Sequence, residues 1–112
     1  MTQTRTDPDR LTRLVLKVAR LEAGRRQIDI CREFGFAKAT YHRIENGPRA
    51  IFFEDIRELC LYLGIEPTMF WPELAGESIE DRTEAMAARL RALEAETADQ
   101  RRARRQKHTE AA

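Results

Sequence analysis

The 112-residue chain lacks the features that mark several protein classes. Two cysteines, Cys31 and Cys60, are too few for a disulfide scaffold or a four-ligand zinc site. No apolar run approaches the ~20 residues of a membrane span, and the first ten residues lack the apolar stretch of a secretory signal. There is also no Gly-rich phosphate loop, Ser/His/Asp set or paired-carboxylate cleft. We therefore expect a cytoplasmic protein that is not an enzyme and that has no metal, cofactor or membrane partner.

Net charge is also scarce, because 20 Lys and Arg residues offset 19 Asp and Glu residues to leave +1. The distribution is nevertheless uneven. Residues 1–49 have 11 basic and 6 acidic residues, residues 50–100 have 4 and 12, and residues 101–112 have 5 and 1. The three segments thus have charges of +5, −8 and +4. A small total therefore does not exclude a nucleic-acid partner for the basic first segment.

Apolar residues recur at helical spacing and nowhere alternate as in strands, which predicts an all-α fold. Residues 1–9 are polar and aperiodic, which predicts a disordered leader before a domain over residues 10–73. Glycines or a Gly-Pro pair end the successive apolar patterns, and Pro67 suits the first turn of a short fifth helix. The predicted helices cover about 11–23, 27–34, 37–45, 53–63 and 67–71.

The C-terminal third has no glycine or proline after Gly76, which predicts one long helix over residues 77–107 and a disordered tail over 108–112. Four apolar residues follow a 4-3 rhythm that suits a two-stranded coiled coil. They are Ile79, Met86, Leu90 and Leu93. We favour dimerisation through this seam over packing back on the same domain. The basic run 101–107 is more typical of a disordered terminus than of a phosphate contact.

The stretch Gly24–Gly47, GRRQIDICREFGFAKATYHRIENG, pairs two short helices across a turn glycine, Gly35. With its flanks, it resembles the lambda-repressor and Cro-like (Xre) helix-turn-helix family over about residues 14–71. Matching positions follow the family pattern of one arginine, one glutamine, one turn glycine, an E-x-G-x-R run and an apolar frame. They are Arg20, Gln27, Cys31, Gly35, Phe36, Tyr41, Ile44, Glu45, Gly47, Arg49, Ile56, Leu59, Leu63, Gly64, Ile65 and Phe70.

The resemblance implies a five-helix domain, followed here by the long C-terminal helix, whose third helix enters the DNA major groove. The residues expected to read bases are Lys38, Ala39, His42 and Arg43. The residues expected to contact phosphates are Lys17, Arg25, Arg26, Gln27 and Arg49. Arg20 and Glu45 would form a structural ion pair, and His42 is not expected to bind a metal.

At three cap positions the chain departs from the family pattern, because Arg26, Ala37 and Phe52 stand where Ser or Thr usually cap helices. Arg25 and Ile51 also replace the leucine and the proline that the family usually has. Each lost cap costs about 1 kcal/mol of helix stability and removes a hydroxyl that commonly touches phosphate. Phe52 takes a place that is usually polar, so we expect it to be exposed or to lie in a dimer interface. The departures leave the predicted fold unchanged and weaken the assignment of phosphate contacts.

The sequence predicts a sequence-specific transcriptional regulator of bacterial or phage origin, acting on double-stranded DNA in the cytoplasm. It would be a homodimeric repressor that binds an inverted repeat. The alternative is a protein-interaction module, such as an antitoxin, whose acidic C-terminal half binds a protein partner through the C-terminal helix.

Overall fold

The computed structural model describes the backbone of residues 6–47, 51–96 and 98–111, and the side chains of residues 10–47, 51–96 and 98–107. Within these ranges the chain forms α-helices, two 3-10 helices and no strand, which confirms the all-α prediction. The α-helices are α1 (Thr6–Glu22), α2 (Gln27–Phe34), α3 (Lys38–Asn46), α4 (Phe53–Leu63), α5 (Ile79–Glu94) and α6 (Ala98–Ala111). The 3-10 helices, Pro67–Phe70 and Pro72–Ala75, connect α4 to α5.

The hydrophobic core lies where α1 to α4 meet. Leu16 of α1, Ile30 of α2, Tyr41 of α3 and Leu59 of α4 are each 0% exposed. Each helix contributes a stripe of apolar residues at helical spacing, and burial of one such side chain stabilises the fold by about 1.5–3 kcal/mol. Helices as short as α2 and α3 are unstable alone in water, so this packing is what maintains them.

The N-cap residues of α2, α3 and α4 are Arg26, Ala37 and Phe52, the three residues that replace the usual Ser or Thr caps. At α2, Asp29 compensates, because its carboxylate accepts a 2.7 Å hydrogen bond from the Arg26 backbone N–H. The Ala37 and Phe52 side chains make no capping hydrogen bond. The stability of α3 and α4 therefore depends on the core contacts of their buried faces.

Helix α5 packs against α1 of the same chain, which corrects the preferred coiled-coil prediction. Leu93 is 2% exposed, and Ile79 and Met86 pack on the core, while Leu90 is half-buried. Three of the four seam residues thus bury apolar surface against their own domain. The structure therefore has the second expected arrangement, in which the helix packs on its own domain.

The buried Arg82 holds the start of α5 in place. Its guanidinium donates to Glu77 at 2.7 and 3.0 Å and to the Met69 carbonyl at 3.4 Å. The hydrogen bonds lower the pKa of Glu77 and raise the pKa of Arg82. The contact with Met69 joins α5 to the first 3-10 helix, Pro67–Phe70.

Several helix bounds differ from those expected from the sequence. Helix α1 begins at Thr6, inside the expected disordered leader, and α6 continues to Ala111, through most of the expected disordered tail. The short fifth helix predicted near residues 67–71 is present as the 3-10 helix Pro67–Phe70, and a second 3-10 helix, Pro72–Ala75, follows it. The long helix expected over 77–107 is divided into α5 and α6, and the Arg101 guanidinium donates to the Glu94 and Glu96 carbonyls at the end of α5 at 3.4 and 2.9 Å. These bonds satisfy carbonyls that a continuous helix would have used.

Candidate nucleic-acid interface

Helix α3 has one buried face and one exposed face. Tyr41, Ile44 and Glu45 are 0%, 3% and 2% exposed, which fixes the rotation of the helix about its axis. The four residues predicted to read bases all lie on the exposed side. They are Lys38, Ala39, His42 and Arg43. The structure therefore presents two permanent cations, an imidazole and a methyl group on one side of a helix, which suits base edges in a major groove.

Asn46 extends this exposed face and was missed by the sequence reasoning. Its side-chain amide donates to the His42 carbonyl at 3.0 Å and lies 3.4 Å from His42 Nδ1. Its side-chain oxygen accepts a 2.6 Å hydrogen bond from Lys17 Nζ. The i,i+4 spacing from His42 was a signal for this contact. Lys17, predicted to contact phosphate, is thus tied to the end of α3.

A buried network fixes α1, α2 and α3 relative to one another. Arg20 Nε and Nη2 donate to the two Glu45 oxygens at 2.6 and 3.1 Å, so the expected pair is present and bidentate. Arg20 Nη1 also donates to the Arg25 carbonyl at 2.8 Å, and Gln27 Nε2 donates to Glu45 at 3.1 Å. Gln27 was assigned to phosphate from the sequence, and its amide nitrogen here serves the ion pair. The network sets the angle at which α3 projects from the domain.

The start of α2 has a cluster of basic side chains over one carboxylate. Asp29 pairs with Arg26 at 3.2 Å and with Arg105 of α6 at 3.4 Å. Burial acts to raise the pKa of Asp29, and the hydrogen bonds and charge of Arg26, with the charge of Arg105, outweigh it and hold that pKa below its usual range. The Arg25 guanidinium lies 5.5 Å from the centre of the Tyr62 ring, a cation–π distance.

The predicted phosphate contacts are only partly assembled. Lys17, Arg25, Arg26 and Gln27 all line one open groove at the junction of α1 and α2. Arg49 lies outside the described residues, so the structure does not place it. Among the described residues, no group of three or more His, Cys, Asp or Glu side chains is arranged to hold a metal ion. The basic side chains that line the groove are mostly guanidinium groups.

Helices α2 and α3, joined at Gly35 and with a polar exposed face on the second, are the defining pair of a helix-turn-helix module. The family model described as a helix-turn-helix domain matches residues 13–70, and the chain belongs to this family. No curated protein and no solved structure matches the chain significantly. Helices α5 and α6 lie beyond the matched residues. The family match supports a DNA-binding function, and no helix in the described parts of the chain is long and apolar enough to cross a membrane.

Proposed function

We propose that the protein is a sequence-specific transcriptional regulator that acts in the cytoplasm without catalytic activity. The observation that carries the proposal is the exposed face of α3, where Lys38, Ala39, His42 and Arg43 lie opposite a fully buried face. Lys38 and Arg43 donate to guanine or to phosphate, His42 donates or accepts, and Ala39 contacts a thymine methyl. We propose repression as its mode of action, because a protein bound at a promoter occupies the DNA that RNA polymerase would use.

Selection of bound sequences from a random DNA pool tests the proposal. We expect a defined consensus rather than uniform recovery of the pool. Lys38→Ala and His42→Ala should each relax preference at one or two positions, because a bidentate base contact contributes about 1–3 kcal/mol of discrimination. Arg91→Ala is the matched control for Lys38→Ala, since Arg91 is an exposed cation on α5. A consensus unchanged by Lys38→Ala would show that the reading residues are wrongly assigned.

We further propose that the regulator acts as a homodimer on an inverted repeat. Three of the four seam residues of α5 pack within the chain, so we place the interface on another surface. Phe52, Phe53 and Leu61 are 71%, 63% and 81% exposed on or beside α4. Large apolar side chains left exposed often mark contact sites, and Phe52 was the exposed dimer candidate expected from the sequence. A second copy of this chain is the occupant that a two-fold symmetric operator requires.

The dimer predicts half-sites about 34 Å apart, one helical turn of DNA, and hence a palindromic consensus. Sedimentation equilibrium measures the self-association directly. Phe52→Ser should weaken it without lowering the melting temperature, because the side chain is exposed. The control is Leu74→Ser, which removes an apolar residue that is 74% exposed on the second 3-10 helix. A non-palindromic consensus bound by a monomer would contradict the dimer and leave the DNA-binding proposal standing.

A protein-interaction module remains the second candidate function, and the exposure of Leu61, Trp71 and Leu74 favours it. Such a surface would suit a protein partner, as in an antitoxin bound to its toxin. The dependence of DNA affinity on salt discriminates between the two candidates. Contacts to several phosphates give a steep negative slope of log affinity against log salt concentration. The absence of measurable DNA binding at low salt would favour the interaction module.

A further inference from the structure

Helix α6 does not trail away from the domain but lies against the α1–α2 junction. Arg105 of α6 approaches Gly24 so closely that a Cβ at Gly24 would lie 2.6 Å from the Arg105 Cβ and 2.7 Å from its backbone nitrogen. Arg105 also pairs with Asp29 of α2 at 3.4 Å. Such contacts between residues about eighty positions apart fix one side of α6 beside the start of α2.

The docked helix completes an open groove of about 750 Å³ between α6, the α1–α2 junction and the end of α3. His42 and Asn46 of α3 line this groove together with residues of α6. Basic residues from both halves of the sequence meet in it. They are Lys17, Arg20, Arg25, Arg26, Arg101, Arg102 and Arg105. The +5 and +4 segments of the sequence are thus adjacent in space, which the charge pattern alone did not reveal.

The acidic residues near the groove reduce this charge without cancelling it. Glu94 and Glu96 line the groove, and Glu96 is paired with Arg104. Glu45, Asp29 and Asp99 pair with arginines that line it, so the seven basic residues exceed the five acidic ones. Arg102 is available to an outside ligand, because its side chain is 76% exposed and its partner, Asp99, is 90% exposed. Exposed pairs of this kind contribute little to stability and exchange readily for another anion. The groove is therefore a cationic channel that opens beside the exposed face of α3.

We propose that α6 is a second DNA-contacting element, which holds the sugar–phosphate backbone in this groove while α3 lies in the major groove. The inference rests on the proposed DNA-binding function and extends it beyond the matched helix-turn-helix residues. A helix that blocked the DNA-binding surface by imitating DNA would be acidic. Residues 98–107 of α6 contain five basic residues and one acidic residue, so its charge suits phosphate instead.

Arg102→Gln tests the proposal with little risk to folding, because the side chain is exposed. Each neutralised phosphate contributes about −0.9 to the slope of log affinity against log salt. We expect the magnitude of the slope to fall by about 1, with an affinity loss of roughly fivefold to tenfold near 0.1 M salt. The loss should be equal on the selected sequence and on a scrambled duplex, since phosphates carry no sequence information. Lys107→Gln is the control, because it removes one exposed charge from α6 outside the groove.

Gly24→Ala tests the placement of α6 while leaving its charges intact. An alanine Cβ would overlap the backbone of Arg105, so α6 must move away. Gly64→Ala is the matched control, because Gly64 has φ +71° against +70° at Gly24 and no atom within 4 Å of its Cβ position. Both variants bear the same backbone strain, and Gly24→Ala alone should reduce the salt slope. Adding Arg102→Gln to Gly24→Ala should then reduce the slope little further.

The outcomes separate the inference from the proposed function. A slope reduced by Arg102→Gln and by Gly24→Ala, but not by their controls, supports α6 as a DNA contact. Wild-type binding with a slope unchanged by Arg102→Gln overturns this inference and leaves the helix-turn-helix regulator intact. Tighter binding by either variant overturns it in favour of a helix that covers the DNA site. Absence of DNA binding by the wild-type protein overturns both the inference and the proposed function.

Discussion

Arg20→Ala is the substitution for which the structure gives the sharpest expected effect. Arg20 is 8% exposed and Glu45 is 2% exposed, and two hydrogen bonds of 2.6 and 3.1 Å join them. Removing the arginine leaves the buried Glu45 carboxylate without its ion-pair partner, while Gln27 Nε2 still donates to it at 3.1 Å. Breaking one partner of a buried ion pair typically costs about 3–5 kcal/mol. The free energy of unfolding of a small domain is only about 5–15 kcal/mol, so the loss is a large fraction of the total.

Urea unfolding followed by circular dichroism measures this loss, which corresponds to a fall in melting temperature of roughly 15 °C for a chain of this size. Arg32→Ala is the control, because Arg32 is exposed on α2 and surface substitutions usually change stability by within about 0.5 kcal/mol. Replacing both partners, as Arg20→Met with Glu45→Leu, should recover much of the loss, since no unpaired charge remains. The Arg20 contact to the Arg25 carbonyl would still be missing, so recovery should be incomplete.

A decrease of less than about 1 kcal/mol in the free energy of unfolding of Arg20→Ala would contradict this prediction, because an unpaired buried carboxylate destabilises a fold by more than that. A double variant no more stable than Arg20→Ala would also count against it. That result would show that the hydrogen bonds of the network, rather than the unpaired charge, dominate the energetics.

Three further predictions concern packing and titration. Leu93→Ala should lower the free energy of chemical unfolding by about 2–5 kcal/mol at every protein concentration, because Leu93 is buried within the chain. A loss of stability that disappears on dilution would indicate a coiled-coil interface instead. Burial raises the pKa of the thiols of Cys31 and Cys60. Both thiols should therefore react slowly with a thiol reagent at pH 8 and rapidly in urea. Rapid labelling of the native protein would show that the core is open. The pKa of Asp29 in the folded state lies below its usual 3.8. Its contribution to stability is therefore present above pH 4 and is lost as the pH falls through the folded-state pKa. Asp29→Asn should flatten the acid limb of a curve of stability against pH.

The helix-turn-helix core was predictable because its signals are local. The starts of α2, α3 and α4 coincide with the predicted cap positions, and the residues expected to seat α3, Tyr41 and Ile44, are buried. Helical spacing places every fourth residue or so on the same side, so the exposed side of α3 follows once the buried side is known. The pairing of Arg20 with Glu45 came from the resemblance to a family, not from spacing in the sequence.

The C-terminal region was predicted less well, because its local signals suit more than one structure. Ile79, Met86 and Leu93 have a rhythm that serves a coiled coil and an intramolecular helix pair equally. Helix propensity favours one continuous helix through residues 95–97. Docking decides otherwise, because the contacts of Arg105 with Gly24 and Asp29 require the chain to turn before α6. The Asn46 contact with Lys17 was similarly invisible, since it joins residues 29 positions apart.

The amino-acid sequence alone determined the all-α class, the helix-turn-helix pair and the residues on the exposed side of α3. These follow from periodicity and turn residues, which act over a few positions of the chain. Only the tertiary structure decided that α5 covers α1 and that α6 brings Arg101 and Arg102 beside Arg26. Those arrangements depend on which apolar and charged surfaces meet after folding, and residues 24 and 105, far apart in the sequence, are neighbours in the folded chain.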